Sequence, residues 1–420
     1  MSLAPSYCPI LRWPLDIKQI VHQGQEVLVI SDLGDVSPEP TVFPAAFGPI
    51  IARFDGKHSL EQILNEASPY GLTQELLLQL VSELDQRLLL VNQKSKSREE
   101  EIRQKFAEAT VRESSHAGLV YPDDKQELSK QIAAYISRLG DLNNKADGSD
   151  SLVSFIAPHI DYRRGWKSYA AGIKAIESVQ RPDVIFLLGT SHNGGESVFQ
   201  LTKKDFASPL GDFKTDKTVV ESLASKYGQK MAFQDELLHK KEHSLDLQLP
   251  FLGHWLGQEL SKVKIVPILI GSFYSHVLKA KEPTEKGEIA DFLGYLSMEI
   301  SNLRQSGKKV LLYGGVDMAH VGQHFGDVEN ISQNGLEEIH SRDQLYLDAI
   351  LSADKSALFE HIAEDADKRR ICGFPSLYTM LSVLEFSNIS TRGQLYDYSQ
   401  AVDEKTDCIV TFASAGWIET

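Results

Sequence analysis

The spacing of apolar and polar positions changes character once along this chain. Through residues 1–92 it is mixed. Two short runs, Glu26–Ile30 and Thr41–Phe43, bracket a turn-rich stretch holding Gly34, Pro38 and Pro40, which predicts a pair of short strands. Two helices are then expected. One follows Ser59 as N-cap, with Leu60, Ile63 and Leu64 on one side; the other follows Thr73, where Leu76, Leu77, Leu80, Val81 and Leu84 recur at helical spacing. Leu88–Val91 reads as a short buried strand. Residues 93–110 are charged and nearly free of core positions, the pattern of a solvated helical linker.

From Val111 onward the pattern becomes one of unbroken apolar runs of strand length, Leu152–Ile156, Val184–Leu188, Ile265–Ile270, Val310–Tyr313 and Cys408–Phe412, alternating with helical segments. Such runs suit strands covered by helices on both faces. The expected fold is α/β over residues 111–420, a central mostly parallel sheet flanked by helices, with a small α+β domain over residues 1–92. Residues 279–288, rich in Lys, Glu and Pro, read as a surface loop.

Composition narrows the classes of function. A chain of 420 residues supports two domains. Its net charge of −15 argues against a phosphate-backbone binder, so no nucleic-acid partner is expected. Three cysteines make no disulfide framework and fit a reducing compartment. Pro5, Asp16 and Lys18 interrupt any signal-peptide pattern, and no apolar stretch reaches the roughly 18 residues of a membrane span. The expectation is a cytoplasmic protein with no membrane partner. Walker and dinucleotide spacings are missing, which argues against nucleotide binding.

The histidines carry most of the chemistry. "SLVSFIAPH" is an apolar strand ending at His159, "DVIFLLGTSH" a second ending at His192, and "KVLLYGGVDMAH" a third with Asp317 and His320 past its end. Ligands of open α/β sheets bind beyond the carboxyl ends of strands. A lone histidine is more often an ordinary surface or hydrogen-bonded residue, but three delivered to one sheet edge form a candidate metal site. Gly194 and Gly195 after His192 let backbone approach a bound group. Cys372 precedes a helix begun by Pro375 and continued by Leu377, Met380, Leu381 and Leu384, and it adjoins Arg369 and Arg370. That setting predicts a lowered thiol pKa, although a small buried hydrophobe is the commoner fate of an intracellular cysteine. Cys8 and Cys408 lack such surroundings. Glu242-His243 begins a helical stretch and can bind an anion, orient a ligand or cap the helix.

Two family resemblances add to this reading. The strings "FDGKHSLEQI" and "LTQELLLQLVSELDQRLLL" resemble the small PqqD-like, winged-helix-like modules that bind peptide segments; a generic helical accessory domain is the alternative. The strings "RESSHAGLVYP", "APHIDYRRGW", "LLGTSHNGG", "KEHSLDLQLPFL", "VPILIGS", "VDMAHVGQHFG" and "ICGFPSLYTML", in this order, resemble the Memo family, whose bacterial and archaeal members are called AmmeMemoRadiSam system protein B. That resemblance implies a fold similar to class III non-heme iron dioxygenases. It implies a transition metal, Fe(II), Cu or Zn, held by His159, His192 and Cys372, with Asp317, His320 and His243 as the nearby pocket residues. It also implies association with radical-SAM and AMMECR-like proteins. Asp161, Val120 and Asn193 depart from the family's usual residues, which puts the substrate in doubt more than the site.

Three functions follow as hypotheses. The first is a redox metalloenzyme in which His320, oriented by Asp317, serves as acid/base or hydrogen-bond donor. The second is a noncatalytic scaffold binding a small molecule or peptide. The third is a hydrolase with Cys372 as nucleophile beside His159 or His192.

Overall fold

The computed structural model describes residues 4–32, 34–37, 39–142 and 144–420, so Pro38, read above as a turn residue, lies outside them. The chain divides into two units, Met1–Glu108 and Ala109–Thr420.

In the first unit, strands β1 (Leu15–His22), β2 (Gln25–Asp32) and β3 (Thr41–Pro44) pair antiparallel in that order. Helices α1 (Leu60–Ala67), α2 (Gln74–Gln86) and α3 (Gln93–Glu108) follow. Ser59 accepts from the Gln62 amide while the Gln62 side chain accepts from the Ser59 amide, a reciprocal cap that fixes the start of α1. Thr73 caps α2 through the Leu76 amide. The core joins Leu28, Ile30 and Phe43 of the sheet to Ile63, Leu77, Leu80 and Leu84 of the helices. The strand expected at Leu88–Val91 is corrected. Leu88 takes a left-handed φ of 58° that turns the chain at the end of α2, and Leu90 then makes a single bridge to Leu11. Those residues are apolar because Leu89 and Leu90 are buried, not because they form a ladder.

The second unit is a mixed α/β fold around one large sheet. Besides the two-residue strand Lys214–Thr215, its strands are β4 (Leu152–Ala157), β5 (Val184–Thr190), β6 (Phe199–Leu201), β7 (Lys264–Ile270), β8 (Val310–Gly315), β9 (His320–Val321), β10 (Thr391–Asp403) and β11 (Cys408–Glu419). Across the sheet they run β9-β11-β4-β8-β5-β7-β6. The central β4, β8, β5 and β7 are parallel; β11 and β6 are antiparallel to their neighbours, and β10 pairs with β11 as a long hairpin.

Alternation along each central strand feeds two cores. Helices α4 (Lys125–Arg138), α5 (Tyr162–Ala175), α6 (Lys217–Tyr227), α7 (Leu249–Leu256), α8 (Glu288–Gln305), α9 (Gln333–Leu351), α10 (Lys355–Ala363) and α11 (Phe374–Phe386) supply the other walls. Phe155, Ile185, Leu187, Leu311 and Tyr313 pack with α4, α5 and α7. Ile156, Phe186, Leu188 and Leu312 pack with α6 and α8–α11. No helix among the described residues is long and apolar enough to cross a membrane.

Register sets up the site. Gly315 at the end of β8 lies opposite both Ala157 of β4 and Gly189 of β5, so three adjacent strands end level. A single helical turn, His243–Asp246, crosses those ends. A Cβ at 315 would overlap the Ser244 carbonyl and the Gln248 amide, and one at 189 would crowd Ser244 and Leu245. Glycine therefore sits where the turn must touch the sheet. Gly315→Ala is expected to lower stability by about 1–3 kcal/mol through this overlap. Chemical denaturation reads the loss, and a variant as stable as the parent contradicts the close approach.

Candidate metal centre

Each strand end delivers a side chain to one place. His159 follows β4 and is buried; its Nδ1 donates to the Gly315 carbonyl at 2.9 Å. His192 follows β5 and is exposed; its Nδ1 donates to Glu242 Oε1 at 2.9 Å, and its amide donates to Glu242 Oε2 at 3.0 Å. His243, half-buried on the crossing turn, has Nδ1 3.2 Å from the same Glu242 Oε1. A carbonyl or carboxylate opposite Nδ1 requires the proton there, which puts the lone pair of each neutral ring on Nε2. One ring nitrogen from each of the three lies within 4.8 Å of the others. The ring centroids stand 4.9, 5.2 and 4.5 Å apart. Three convergent, oriented imidazoles form a donor set that fits a transition-metal ion.

Glu242 is the hub. It is buried and also caps its own turn through the Ser244 amide at 3.0 Å. Burial alone would raise its pKa, but the charge and hydrogen bonds of His192 and His243 outweigh that and hold it well below the ordinary value. Burial likewise opposes charge on His243, yet Glu242 lifts its pKa above the usual one. His159 has its Nδ1 on a carbonyl rather than on a carboxylate. Burial, with His192 and His243 beside it, drives its pKa well down.

Cys372 comes to the same place from the far end of the chain, its Sγ 3.3 Å from His159 Nε2 and 4.0 Å from the Asp317 carbonyl. Pro375 stands in the first turn of α11, as expected. The lowered thiol pKa is corrected: burial, then the Asp317 charge, push it well above the ordinary value. Neighbours in sequence are not neighbours in space here. Arg369 donates to Asp343 at 2.5 Å and Arg370 to Asp327 at 2.5 Å, so both guanidinium charges are spent elsewhere.

The expected Asp317–His320 pairing is also corrected. Asp317 Oδ1 accepts from the backbone amides of His159 (2.8 Å) and Ile160 (3.2 Å), and Oδ2 lies 3.7 Å from His159 Nε2. Asp317 therefore steers the first histidine, and burial pushes its pKa up to about 7. His320 is held by backbone instead: Nδ1 donates to the Met318 carbonyl at 3.0 Å and its amide to the Arg369 carbonyl at 2.7 Å. Burial lowers its pKa to about 4. Asp161, the departure noted beside His159, caps α5 through the Arg164 amide.

Arg112 is a residue that sequence reasoning left without a role. Its guanidinium donates to the carbonyls of His239 (2.9 Å) and Glu242 (3.0 Å), to Ser115 Oγ (2.9 Å) and to Asp246. Arg112 and Asp246 are both fully buried, and together they clamp the segment bearing Glu242 and His243. The only signal in sequence was the opening string "RESSH".

A cleft of about 260 Å³ opens beside His192 and Cys372, walled by Ser191, Phe273, Tyr274, Asp367 and Arg370. A second cavity, about 360 Å³, lies at the opposite strand ends beside Leu152 and Val310; its Arg304 and Glu419 pair with each other, and no histidine lines it.

A family model for Memo-like proteins matches residues 112–416. The chain belongs to the Memo-like family. A MEMO1 family protein of Aquifex aeolicus is 26% identical over 404 residues, covering 96% of this chain and 94% of its own length. One of Pyrococcus furiosus is 27% identical over 309 residues, 72% of this chain but 98% of its own. One of Schizosaccharomyces pombe is 27% identical over 335 residues, 73% and 98% respectively. The Aquifex relative thus extends across the N-terminal unit, whereas a match the size of the second unit accounts for nearly all of the Pyrococcus protein.

The Arg112–Asp246 clamp predicts both stability and its pH dependence in this Memo-like protein. Arg112→Met leaves a buried carboxylate without its cation and should cost about 3–5 kcal/mol. Arg112→Met combined with Asp246→Leu should recover part of that, since the His116 amide and the Tyr121 hydroxyl then lose their acceptor. Burial opposes ionisation of Asp246, but Arg112 prevails and holds its pKa at about 2. An unfolded Asp titrates near ~3.9, so the contribution is full above about pH 4 and is lost as pH falls toward 2. Urea titrations across that range should show a shallower acid loss in the double variant than in the parent.

Proposed function

We propose that the histidine cluster is a mononuclear metal centre held by His159, His192 and Cys372, with His243 as the imidazole beside it, serving a small-molecule reaction in the adjacent cleft. One observation carries this reading. Three rings from three separate segments have Nδ1 tied back, and the Nε2 of the most buried, His159, meets Cys372 Sγ at 3.3 Å. Two imidazoles and a sulfur suit Fe(II), Cu or Zn, the thiolate favouring the softer ions. Such an ion supplies Lewis-acid or one-electron chemistry when bound. The chain's own residues do the rest: Glu242 and Gly315 orient the rings, Asp317 fixes the loop that carries His159, and His243 and His320 hold or move a proton beside the ligand.

The fold is read as similar to class III non-heme iron dioxygenases, although a thiolate in place of a carboxylate keeps their activity from transferring by analogy. The N-terminal unit serves in this reading as a peptide-docking module of winged-helix or PqqD type, and radical-SAM and AMMECR-like proteins are the proposed partners. The contact between Cys372 and His159 also favours a second reading, a cysteine nucleophile with an imidazole base. Burial that raises the thiol pKa counts against it.

Co(II) titration tests the centre. The parent should bind one ion with a near-ultraviolet band from sulfur ligation. Cys372→Ser should lose that band while far-ultraviolet circular dichroism stays unchanged. Glu242→Gln, which leaves all ligands in place, should weaken Co(II) by about 10–100-fold. A Cys372→Ser protein with the parent's spectrum and affinity removes the sulfur from the donor set and leaves the three histidines.

A further inference from the structure

The opening string "RESSHAGLVYP" brings one more imidazole to this place. His116 lies on a loop ahead of α4, with its ring centroid 6.1 Å from that of His243. Asp246 holds it twice: Oδ2 accepts from the His116 amide at 3.1 Å and stands 3.0 Å from its Nδ1. The same oxygen accepts from the Tyr121 hydroxyl at 2.9 Å, and Arg112 takes the other. Asp246 is therefore a buried, ionised acceptor with no proton to give. Nδ1 of His116 must carry the ring's hydrogen, and in a neutral imidazole this leaves Nε2 a bare lone pair. Nε2 points away from Asp246, the ring is partly open to solvent, and no hydrogen-bond partner meets Nε2 among the described residues.

His116 is not one of the clustered donors: the group found among the described residues to converge within 4.8 Å is His159, His192 and His243. It flanks them. A carboxylate-oriented imidazole with its acceptor nitrogen unused, one ring away from a donor cluster, is built to meet something that the cluster holds. From this geometry we infer that His116 Nε2 accepts a hydrogen bond from the ligand at the centre, so that the site selects small molecules retaining an O–H or N–H at the ligating atom over acceptor-only anions. The inference rests on the metal reading above and adds the ligand class to it. It makes His116 a specificity residue, and Asp246 a positioning residue that acts through it.

The test uses full-length protein loaded with Co(II) at pH 8, followed by its visible spectrum during titration with hydrazine and, separately, with azide. Hydrazine keeps N–H donors on its ligating nitrogen; azide has none. His116→Phe should weaken hydrazine roughly three- to tenfold, the worth of one hydrogen bond, and leave azide within about twofold. His116→Leu provides the same test should the Phe variant fold poorly. Equal weakening of both probes, or no change in hydrazine, overturns the assignment of His116 while leaving the metal centre intact. A parent protein that takes up no Co(II) overturns the metal reading, and this inference with it.

Discussion

A single buried carboxylate, that of Glu242, decides which edge of two imidazoles faces the cluster. Both His192 and His243 give it their Nδ1 hydrogens, so both are left with the same free nitrogen and the same direction. Were Glu242 absent, each ring could flip or change tautomer, and three rings near one another would not be three donors. Burying a carboxylate is costly unless it is paired and hydrogen-bonded. Here the cost is offset by two imidazoles, two backbone amides and the turn that Glu242 itself caps. The interaction that stabilises the carboxylate is also the one that orients the rings.

The rest of the second unit holds that arrangement in place. Strands β4, β8 and β5 end in register, and glycines at 189 and 315 leave room for the turn that carries Glu242 and His243. Gly373 has a similar part, because a side chain there would overlap the Asp317 carbonyl against which the Cys372 loop packs. Arg112 then grips the segment that leads into the crossing turn, donating to the carbonyls of His239 and Glu242. Sheet register, close packing at glycine and a buried ion pair thus converge on one set of ring positions.

How much of this was legible in the sequence depended on whether the cause was local. Strands β4, β5, β7, β8 and β11 were readable because burial on both faces writes unbroken apolar runs. Strands β1 and β10 were not, because most of their residues are exposed or half-buried and carry polar side chains. Histidines at strand ends could be seen, and topology brought them together. Cys372 was misjudged through its sequence neighbours: Arg369 and Arg370 turn to Asp343 and Asp327, and the atoms that reach the thiol come from 55 and 213 residues away. Glu242 showed only its capping role, since nothing along the chain announces that His192 will lie against it. Arg112, His116 and Asp246 were hidden for the same reason, with 134 and 130 residues separating the partners.

The three rings differ in their access to water: His159 is buried, whereas the His192 and His243 side chains are partly open, 30% and 37% exposed. That gradient makes the site one-sided. An ion exchanging with solvent at such a cluster would meet the His192 and His243 rings first and the buried His159 ring last. Loading and removal would then share one doorway, framed by two rings that the single carboxylate of Glu242 holds in place.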